Sequence, residues 1–417
     1  MLHGGAARAP SRARTSARIV SGAPGRGRWI SPSDDSEVER VRLLFTFAGG
    51  EGHLQPMLPL ATRAAASGHT VTVTGARSLG PTVRRAGLGF VSTGPDVRPQ
   101  RRSLQPVDLD NEYRVVGEYF AGQLAVVRAA DLLVLCERLR PDVVVRDEMD
   151  FGSAVAAERL RIPHASVVVI GAGSFVKPAL IAEPLTRLRA DHRLPADPDL
   201  EMLTRYLVLC PFPRAFRDPA DPLSPAVHYF RPDWPDRPAA APRLLDRLAG
   251  RPTLYVTLGT IFNTESGDLF SRVLDGLREL DLEVVVTVGR GFDPGELGPQ
   301  LRGVHIERYV PQASLLPYCA AVLTHAGSGS VLGALTHGLP MVCIPLGADQ
   351  PLNAERCTAL GVGLELDALT LTPDDVLAAT TAVLTEPRYR ASAEGVRAEI
   401  SAMPSTRDAL TLLEELL

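Results

Sequence analysis

The chain has 417 residues, of which 48 are acidic and 44 basic, and the formal charge of −4 argues against a nucleic-acid partner. Hydrophobic residues make up 45% and charged residues 22%, values typical of globular proteins, which excludes wholesale disorder. The length predicts two domains of about 200 residues each. No apolar run of about 18 residues is apparent, so no membrane span is predicted. The five cysteines show no metal-ligand spacing and are typical of reduced thiols in a cytoplasmic protein.

Residues 1–40 are rich in Arg, Ala, Gly, Ser and Pro and have almost no periodic apolar pattern, which predicts a disordered extension. The composition is that of a transit peptide, but an amphipathic repeat is missing, so targeting is the less favoured alternative. Lys177 is the only lysine, and such an Arg bias is typical of a GC-rich bacterial genome. A misassigned start or a dispensable extension is therefore favoured over a functional arm.

Between residues 41 and 229, short apolar strands alternate with helices. Strands are predicted in VRLLFTF, HTVTVTG, GFVST, PDVVVRD and HASVVVI, and helices over 54–67, 81–87, 152–160 and a long stretch ending at Arg140. The alternation predicts parallel pairing in a doubly wound sheet. The segment 174–227 breaks the rhythm with many prolines and few strong strands, and we interpret it as a pocket-building insertion.

The same pattern starts again after a Pro- and Arg-rich linker at 230–252. Strands are predicted in TLYVTLGT, LEVVVTVG, VHIERYV, AAVLTHAG and MVCIPL, with a helix over 268–280. These elements predict a second Rossmann-like domain over 253–400. In the last segment, 401–417, Ser405 is the predicted N-cap of an amphipathic helix.

A glycine-rich turn in the second half has the chemistry of an anion site. A strand delivers His325 to this turn, and a helix follows; the turn consists of Gly327, Ser328, Gly329 and Ser330. Small residues let phosphate oxygens approach the backbone, and the helix N-terminus supplies N–H donors. His325 adds a neutral or cationic donor, and Ser330 a hydroxyl. The alternative is a tight strand-to-helix turn with a packed histidine.

The run from Tyr309 to Asn353, with YVPQ, HAGSGS, HGLP, LGADQ and PLN, resembles a known nucleotide-sugar signature. It is similar to that of the inverting, metal-independent glycosyltransferases related to the UDP-glycosyltransferase family, especially bacterial natural-product enzymes. The first half is similar more loosely, through GGEGHLQPMLPLA. The resemblance implies an α/β GT-B fold, in which two Rossmann-like doubly wound domains face each other across a cleft. The C-terminal domain then binds the nucleotide-sugar and the N-terminal domain the acceptor.

The resemblance also implies how the nucleotide is held. The nucleobase stacks on Tyr309 and is read by the backbone of Val310, in a segment that ends at Gln312. Where plant members carry a glutamate for the two ribose hydroxyls, this chain has Gly333. A missing carboxylate favours a deoxyribose donor, a thymidine diphosphate (TDP) sugar, over a uridine diphosphate (UDP) sugar.

The remaining donor contacts are implied in the same way. The positions that match diphosphate contacts are His325, Gly329 and Ser330, with Thr260 as a further candidate. The positions that match contacts to sugar hydroxyls are Asp349 and Gln350. No metal and no cofactor are implied, because the nucleotide-sugar is a co-substrate.

His53 is the candidate general base. It follows the first strand at the start of a helix, and family members carry their base at the matching histidine. A histidine suits removal of a proton from an attacking hydroxyl. A helix N-terminus is expected to lower the pKa of its imidazole and keep the ring neutral. The alternative is a capping or core histidine.

A carboxylate that orients the other imidazole nitrogen improves such a base. Asp147, which closes the strand PDVVVRD, occupies the matching position, and Glu148 and Asp150 are close rivals in RDEMD. A solvated acidic loop is the alternative to all three.

We therefore expect a cytoplasmic, antibiotic-type natural-product hexosyltransferase. It would move a hexose or deoxyhexose, with inversion and without metal, from a nucleotide-sugar to a hydroxyl of an apolar aglycone such as a polyketide or aromatic compound. A non-catalytic helper of a transferase pair and a GT-B nucleotide-sugar epimerase are the alternatives. A homodimer is left open as the assembly.

Overall fold

The computed structural model describes residues 40–96, 103–233, 242–248, 250–259, 266–299 and 302–417. Residues 1–39 of the predicted extension lie outside this range. The described strands form two parallel sheets, one of seven strands and one of six. The predicted architecture of two doubly wound α/β halves is therefore confirmed.

The first sheet has the strand order β3-β2-β1-β4-β5-β6-β7. Its strands are Arg42–Thr46 (β1), Thr70–Gly75 (β2), Gly89–Ser92 (β3), Val143–Asp147 (β4), His164–Val167 (β5), Leu207–Cys210 (β6) and His228–Tyr229 (β7). The direction of winding reverses between β1 and β4, which pair in parallel with Leu43 opposite Val143. A crevice opens at such a switch point, so the loops after β1 and β4 share one ligand-binding edge.

Helices cover both faces of this sheet. They are Glu51–Leu54 (α1), Leu58–Ala66 (α2), Gly80–Arg85 (α3), Leu109–Arg114 (α4), Ala125–Leu139 (α5), Phe151–Leu160 (α6) and Pro178–Asp191 (α7). A ten-residue π-helical segment, Val115–Leu124, joins α4 to α5.

One helix of the described residues bears on the prediction that the chain has no membrane span. Together, α4, the π-helical segment and α5 make one helix of 31 residues, long and apolar enough to cross a membrane by those two criteria. In its most apolar window, 44% is buried within the protein. The π-helical segment packs on α7, and α5 packs on α6, as in the core helix of a domain.

The segment 174–227 is more regular than expected, because it contains α7 and the sheet strand β6. Pro178 lies in the first turn of α7, where a missing N–H costs nothing. The strand β6 is a run of four buried residues, too short to be assigned from its pattern. Pro184 lies inside α7, so the prolines of this segment do not exclude regular structure.

The second sheet has the strand order β10-β9-β8-β11-β12-β13. Its strands are Thr253–Thr257 (β8), Glu283–Thr287 (β9), Val304–Glu307 (β10), Cys319–Thr324 (β11), Met341–Cys343 (β12) and Gly363–Glu365 (β13). The helices of this half are Pro242–Leu248 (α8), Leu269–Leu277 (α9), Gln312–Leu315 (α10), Ser328–Thr336 (α11), Gln350–Ala359 (α12), Pro373–Thr385 (α13) and Pro387–Ala402 (α14). The winding reverses between β8 and β11, so a second switch point faces the first.

The last helix, Thr406–Glu414 (α15), returns to the first domain. Ser405 is its N-cap, as predicted, and forms a reciprocal capping box with Asp408. Leu410 and Leu413 join the hydrophobic core that surrounds β1. The C-terminal helix therefore helps to fix one half of the molecule to the other.

Candidate active site

A cleft of about 1250 Å³ lies where the carboxyl edges of the two sheets meet. Most of the sequence-predicted site residues line it, namely His53, Tyr309, Val310, Gln312, His325, Gly327, Ser328, Gly329, Ser330, Asp349 and Gln350. Asp147 lies directly behind His53. Thr260 falls outside the described residues. The structure therefore brings together predicted residues from both halves of the chain.

His53 is held between an acid and an aromatic ring. Its Nδ1 lies 3.3 Å from Asp147 Oδ2, an ion-pair distance without the alignment of a hydrogen bond. The imidazole stacks on Phe120 of the π-helical segment, with ring centroids 5.7 Å apart and planes 17° apart. Gly49 leaves room for the ring, because a Cβ at that position would lie 2.5 Å from His53 Cδ2.

Two backbone amides hold the Asp147 carboxylate in place, independently of its contact with His53. The Ala48 amide donates to Oδ2 at 2.6 Å, and the Met149 amide donates to Oδ1 at 2.6 Å. The carboxylate is fully buried. Its position is thus set by the backbone at the ends of β1 and β4.

The two rival acids have other partners. Glu148 accepts hydrogen bonds from the amides of Val169 and Ile170 at 2.7 and 2.6 Å. Asp150 is paired with the buried Arg128 at 2.5 Å and accepts a hydrogen bond from Thr46 at 2.6 Å. Of the three acids in RDEMD, Asp147 is the one in contact with His53.

The expected lowering of the His53 pKa was wrong. Burial lowers the pKa of His53, but the carboxylates of Asp147, Asp349 and Glu148 outweigh it, so the pKa is raised above its ordinary value. The helix α1 has only four residues, so its dipole lowers the pKa only weakly. The acids that raise the pKa lie at the end of β4 and on the other side of the cleft. An imidazole in this setting holds a proton readily once it has accepted one.

His325 has the opposite environment. Its ring lies between Gly259 and Gly327, since a Cβ on either residue would come within 2.5 Å of His325 Nε2. Burial lowers its pKa to about 4, so at neutral pH the unliganded ring is neutral. Of the two donor forms expected from the sequence, the structure therefore favours the neutral one. The helix α11 begins beside this ring and directs its first amides to the cleft.

The hydroxyls of the glycine-rich turn are partly committed to protein contacts. Ser328 Oγ is buried, donates to Asp349 Oδ2 at 2.6 Å and accepts from the Gly171 amide at 2.9 Å. The hydroxyl hydrogen of Ser328 is therefore not available to a phosphate. Ser330 Oγ accepts a hydrogen bond from Gln312 Nε2 at 3.2 Å.

The two residues expected at the sugar are buried at the start of α12. Among the described residues, the side-chain hydrogen bonds to Asp349 come from Ser328 and Asn353, and both end on Oδ2. Burial raises the pKa of Asp349. Gln350 Oε1 accepts a hydrogen bond from the Leu346 amide at 2.8 Å, which leaves its amino group as the donor end.

The predicted nucleobase platform forms one end of the cleft. Tyr309 is 46% exposed, and the Arg290 guanidinium lies 4.8 Å from its ring centroid. Gln312 Oε1 would lie 3.3 Å from a Cβ at Gly333, the position of the glutamate in plant enzymes. Val310 has a buried side chain, so only its backbone can meet a ligand.

Sequence reasoning missed Phe120, Arg290 and Asn353. Phe120 lies on the long helix that was predicted to end at Arg140, and no single residue of that helix was assigned to the site. Arg290 follows a strand at the ligand edge, a position that could have indicated it. Asn353 had no signal, because its role depends on contacts with both halves of the chain.

Within the described ranges, no group of three His, Cys, Asp or Glu side chains could hold a metal ion.

Residues 271–416 match the family described as the C-terminal domain of erythromycin biosynthesis protein CIII-like proteins.

Three known proteins are similar over most of the chain. The L-demethylnoviosyl transferase of Streptomyces niveus is 33% identical over 78% of this chain and 85% of its own. The glycosyltransferase SnogD from Streptomyces nogalater is 28% identical, with a TM-score of 0.73 over 91% of this chain and 100% of its own. The glycosyltransferase SsfS6 of Streptomyces sp. SF2575, in complex with thymidine diphosphate, is 25% identical, with a TM-score of 0.71 over 90% and 100%.

Proposed function

Because the chain belongs to the natural-product glycosyltransferases of the GT-B fold, we propose that it transfers a hexose or deoxyhexose from a TDP-sugar to a hydroxyl of an apolar aglycone. Transfer proceeds with inversion and without a metal ion. Membership of this family favours transfer over the helper and epimerase alternatives. One observation carries the proposal, namely that His53, with Asp147 behind it, and the His325 turn line one cleft from opposite domains.

His53 acts as the general base. Because Nδ1 faces Asp147, Nε2 is the nitrogen that receives the acceptor proton. The acceptor oxygen forms a bond to the anomeric carbon as the bond from that carbon to the diphosphate oxygen breaks. The imidazolium that forms is stabilised by Asp147, whose charge is held in place by two backbone amides.

The glycine-rich turn takes up the charge of the leaving diphosphate. The electron pair of the broken bond goes to a β-phosphate oxygen, where the amides of α11 and an N–H of His325 donate hydrogen bonds. A neutral donor and a helix N-terminus supply this stabilisation without a divalent ion. Base and leaving group lie on opposite domains, which supports attack from the face opposite the diphosphate and hence inversion.

A TDP-sugar is the favoured donor. Gly333 offers no carboxylate to a ribose 2′-hydroxyl, and the amide of Gln312 crowds the space beside it. The similar enzyme SsfS6 holds thymidine diphosphate. In this proposal Asp349 and Gln350, which line the cleft at the start of α12, bind the hydroxyls of the donor sugar.

The acceptor side of the cleft supports an apolar aglycone. Phe120, Leu124 and Ile170 line it beside His53. Flat apolar and aromatic surfaces of this kind favour a polyketide or aromatic compound with one reactive hydroxyl.

The test combines binding with turnover. Calorimetry with TDP, UDP and a panel of TDP-sugars should give tighter binding of the thymidine series, unchanged by EDTA. An acceptor screen by mass spectrometry should then find a hexosyl adduct, and NMR of the product should show an inverted anomeric centre. Loss of turnover in EDTA, retention of configuration, or absence of nucleotide binding would overturn the corresponding part of the proposal.

A further inference from the structure

Asn353 is fully buried and does not line the cleft, yet it contacts three parts of the donor site. Its Nδ2 lies 3.0 Å from Ala326 O, 3.1 Å from Ser328 Oγ and 2.8 Å from Asp349 Oδ2. Its Oδ1 accepts a hydrogen bond from the Ala172 amide at 3.1 Å. One side chain thus joins the glycine-rich turn, the sugar-side carboxylate and the acceptor domain.

Ser328 completes the same network. Its hydroxyl accepts from the Gly171 amide and from Asn353 Nδ2, and it donates to Asp349 Oδ2. A hydroxyl has one donor and two acceptor sites, so all of its capacity is used. Each of the three bonds therefore constrains the direction of the other two.

The acceptor-domain end of the network is rigid. Gly171 and Ala172 follow β5, and Ala172 belongs to a hydrophobic core formed by both domains. A Cβ at Gly171 would come within 3.0 Å of the rings of Phe212 and Phe216. The two amides that reach Ser328 and Asn353 are thus held by close packing.

We propose that Ser328 and Asn353 are positioning residues that fix Asp349 in one orientation, so that reading of the donor sugar depends on a contact made by the acceptor domain. With Oδ2 occupied by two donors, Oδ1 is the oxygen that meets a sugar hydroxyl. Because the buried carboxylate is oriented before the donor arrives, no rotamer has to be frozen on binding. This inference rests on the proposed function, since it concerns the sugar of a bound nucleotide-sugar.

The network should affect the sugar and not the nucleotide. Ser328 and Asn353 reach Asp349 through their side chains, whereas the nucleotide is assigned to backbone amides of α11 and to the side chains of His325 and Tyr309. Loss of one hydrogen bond that orients Asp349 should reduce the affinity for the TDP-sugar, relative to that for TDP, by roughly tenfold to hundredfold. The affinity for TDP alone is expected to stay within about twofold.

The experiment measures TDP, TDP-glucose and TDP-rhamnose binding by calorimetry for the full-length protein and four variants. Ser328→Ala and Asn353→Leu remove donors to Asp349, Ser328→Thr keeps the hydroxyl, and Ser401→Ala is a matched change on the exposed part of α14. The wild type should bind one of the two TDP-sugars more tightly than TDP alone. We expect the first two variants to lose this gain in affinity. Ser328→Thr and Ser401→Ala should keep it. Retained TDP binding shows that each variant is folded.

Distinct outcomes separate this inference from the function on which it rests. Wild-type protein that binds none of the three ligands contradicts the proposed function. Wild type that binds a TDP-sugar no better than TDP overturns the role of Asp349, and with it this inference. Variants that retain the wild-type gain, or that lose TDP and TDP-sugar affinity in equal measure, overturn the positioning role alone.

Discussion

The two halves of the molecule place a histidine at the same point of the same fold, yet the two side chains have opposite electrostatic environments. His53 follows β1 and His325 follows β11, each next to a switch point of its sheet. Each ring packs on a glycine with positive φ, Gly49 at +140° or Gly259 at +79°. The fold therefore prepares an equivalent pocket for an imidazole twice.

The difference lies in the carboxylates around each ring. Burial lowers the pKa of both imidazoles, but three acids raise that of His53 again, and the pKa of His325 stays at about 4. A ring next to acids can accept and keep a proton, whereas a ring without them remains a neutral donor. One residue type thus serves proton transfer in one domain and anion binding in the other.

The largest expected effect comes from removing the base. His53→Asn should lower kcat by about 10²- to 10⁴-fold, because a positioned general base contributes that much. Its affinity for TDP should not change, because the nucleotide binds the other domain. Steady-state kinetics and calorimetry on the same preparation test both statements. A variant with near-full turnover would remove His53 from the mechanism, unless the acceptor hydroxyl is itself acidic, so a phenol and an aliphatic alcohol should both be used.

The corresponding change in the second domain should give the opposite pattern. His325→Asn should weaken TDP binding by roughly tenfold to hundredfold, because a hydrogen bond to a charged group is lost. Proton removal from the acceptor should be spared, so kcat at saturating donor should fall less than in His53→Asn. Unchanged TDP affinity in calorimetry would contradict the assignment of this ring to the diphosphate.

The sequence could predict the positions of the two histidines but not the difference between them. Strand and glycine patterns place His53 and His325 at ligand edges, because those patterns are local. The pKa of His53 depends on Asp147 and Asp349, which only the folded chain brings near it. The bonds of Ser328 to Gly171 and Asp349 likewise join distant segments, so the turn alone could not reveal them.

The contrast between His53 and His325 can also be tested at Gly49 and Gly259, the two glycines that leave room for the rings. Gly49→Ala should lower kcat about tenfold with TDP affinity retained, and Gly259→Ala should lower TDP affinity instead, because each new Cβ displaces the adjacent ring. Each change should also cost about 1–3 kcal/mol of stability through backbone strain. Gly87→Ala is the matched control, since its φ is also +79° and no atom lies within 4 Å of the added Cβ.

Urea unfolding and the two functional assays separate strain from displacement. The control should lose stability like the other two and keep both activities. If Gly87→Ala impaired kcat or TDP binding to the same extent, the functional losses would reflect strain and not the position of the rings.

The smallest expected effect is a shift in a pH profile. His53 works as a base only when neutral, so kcat/KM should fall on the acid side, through a pKa above the ordinary value of histidine. Glu148→Gln removes one of the charges that raise this pKa and keeps Oε1 as the acceptor for Val169 and Ile170. The protonated ring loses stabilisation, so the acid limb should move to lower pH, by less than about one unit. Glu183→Gln, on the exposed side of α7, should leave the limb in place. A limb that moves to higher pH in Glu148→Gln would mean that the carboxylates do not set the proton affinity of His53, and the contrast between the two histidines would need another cause.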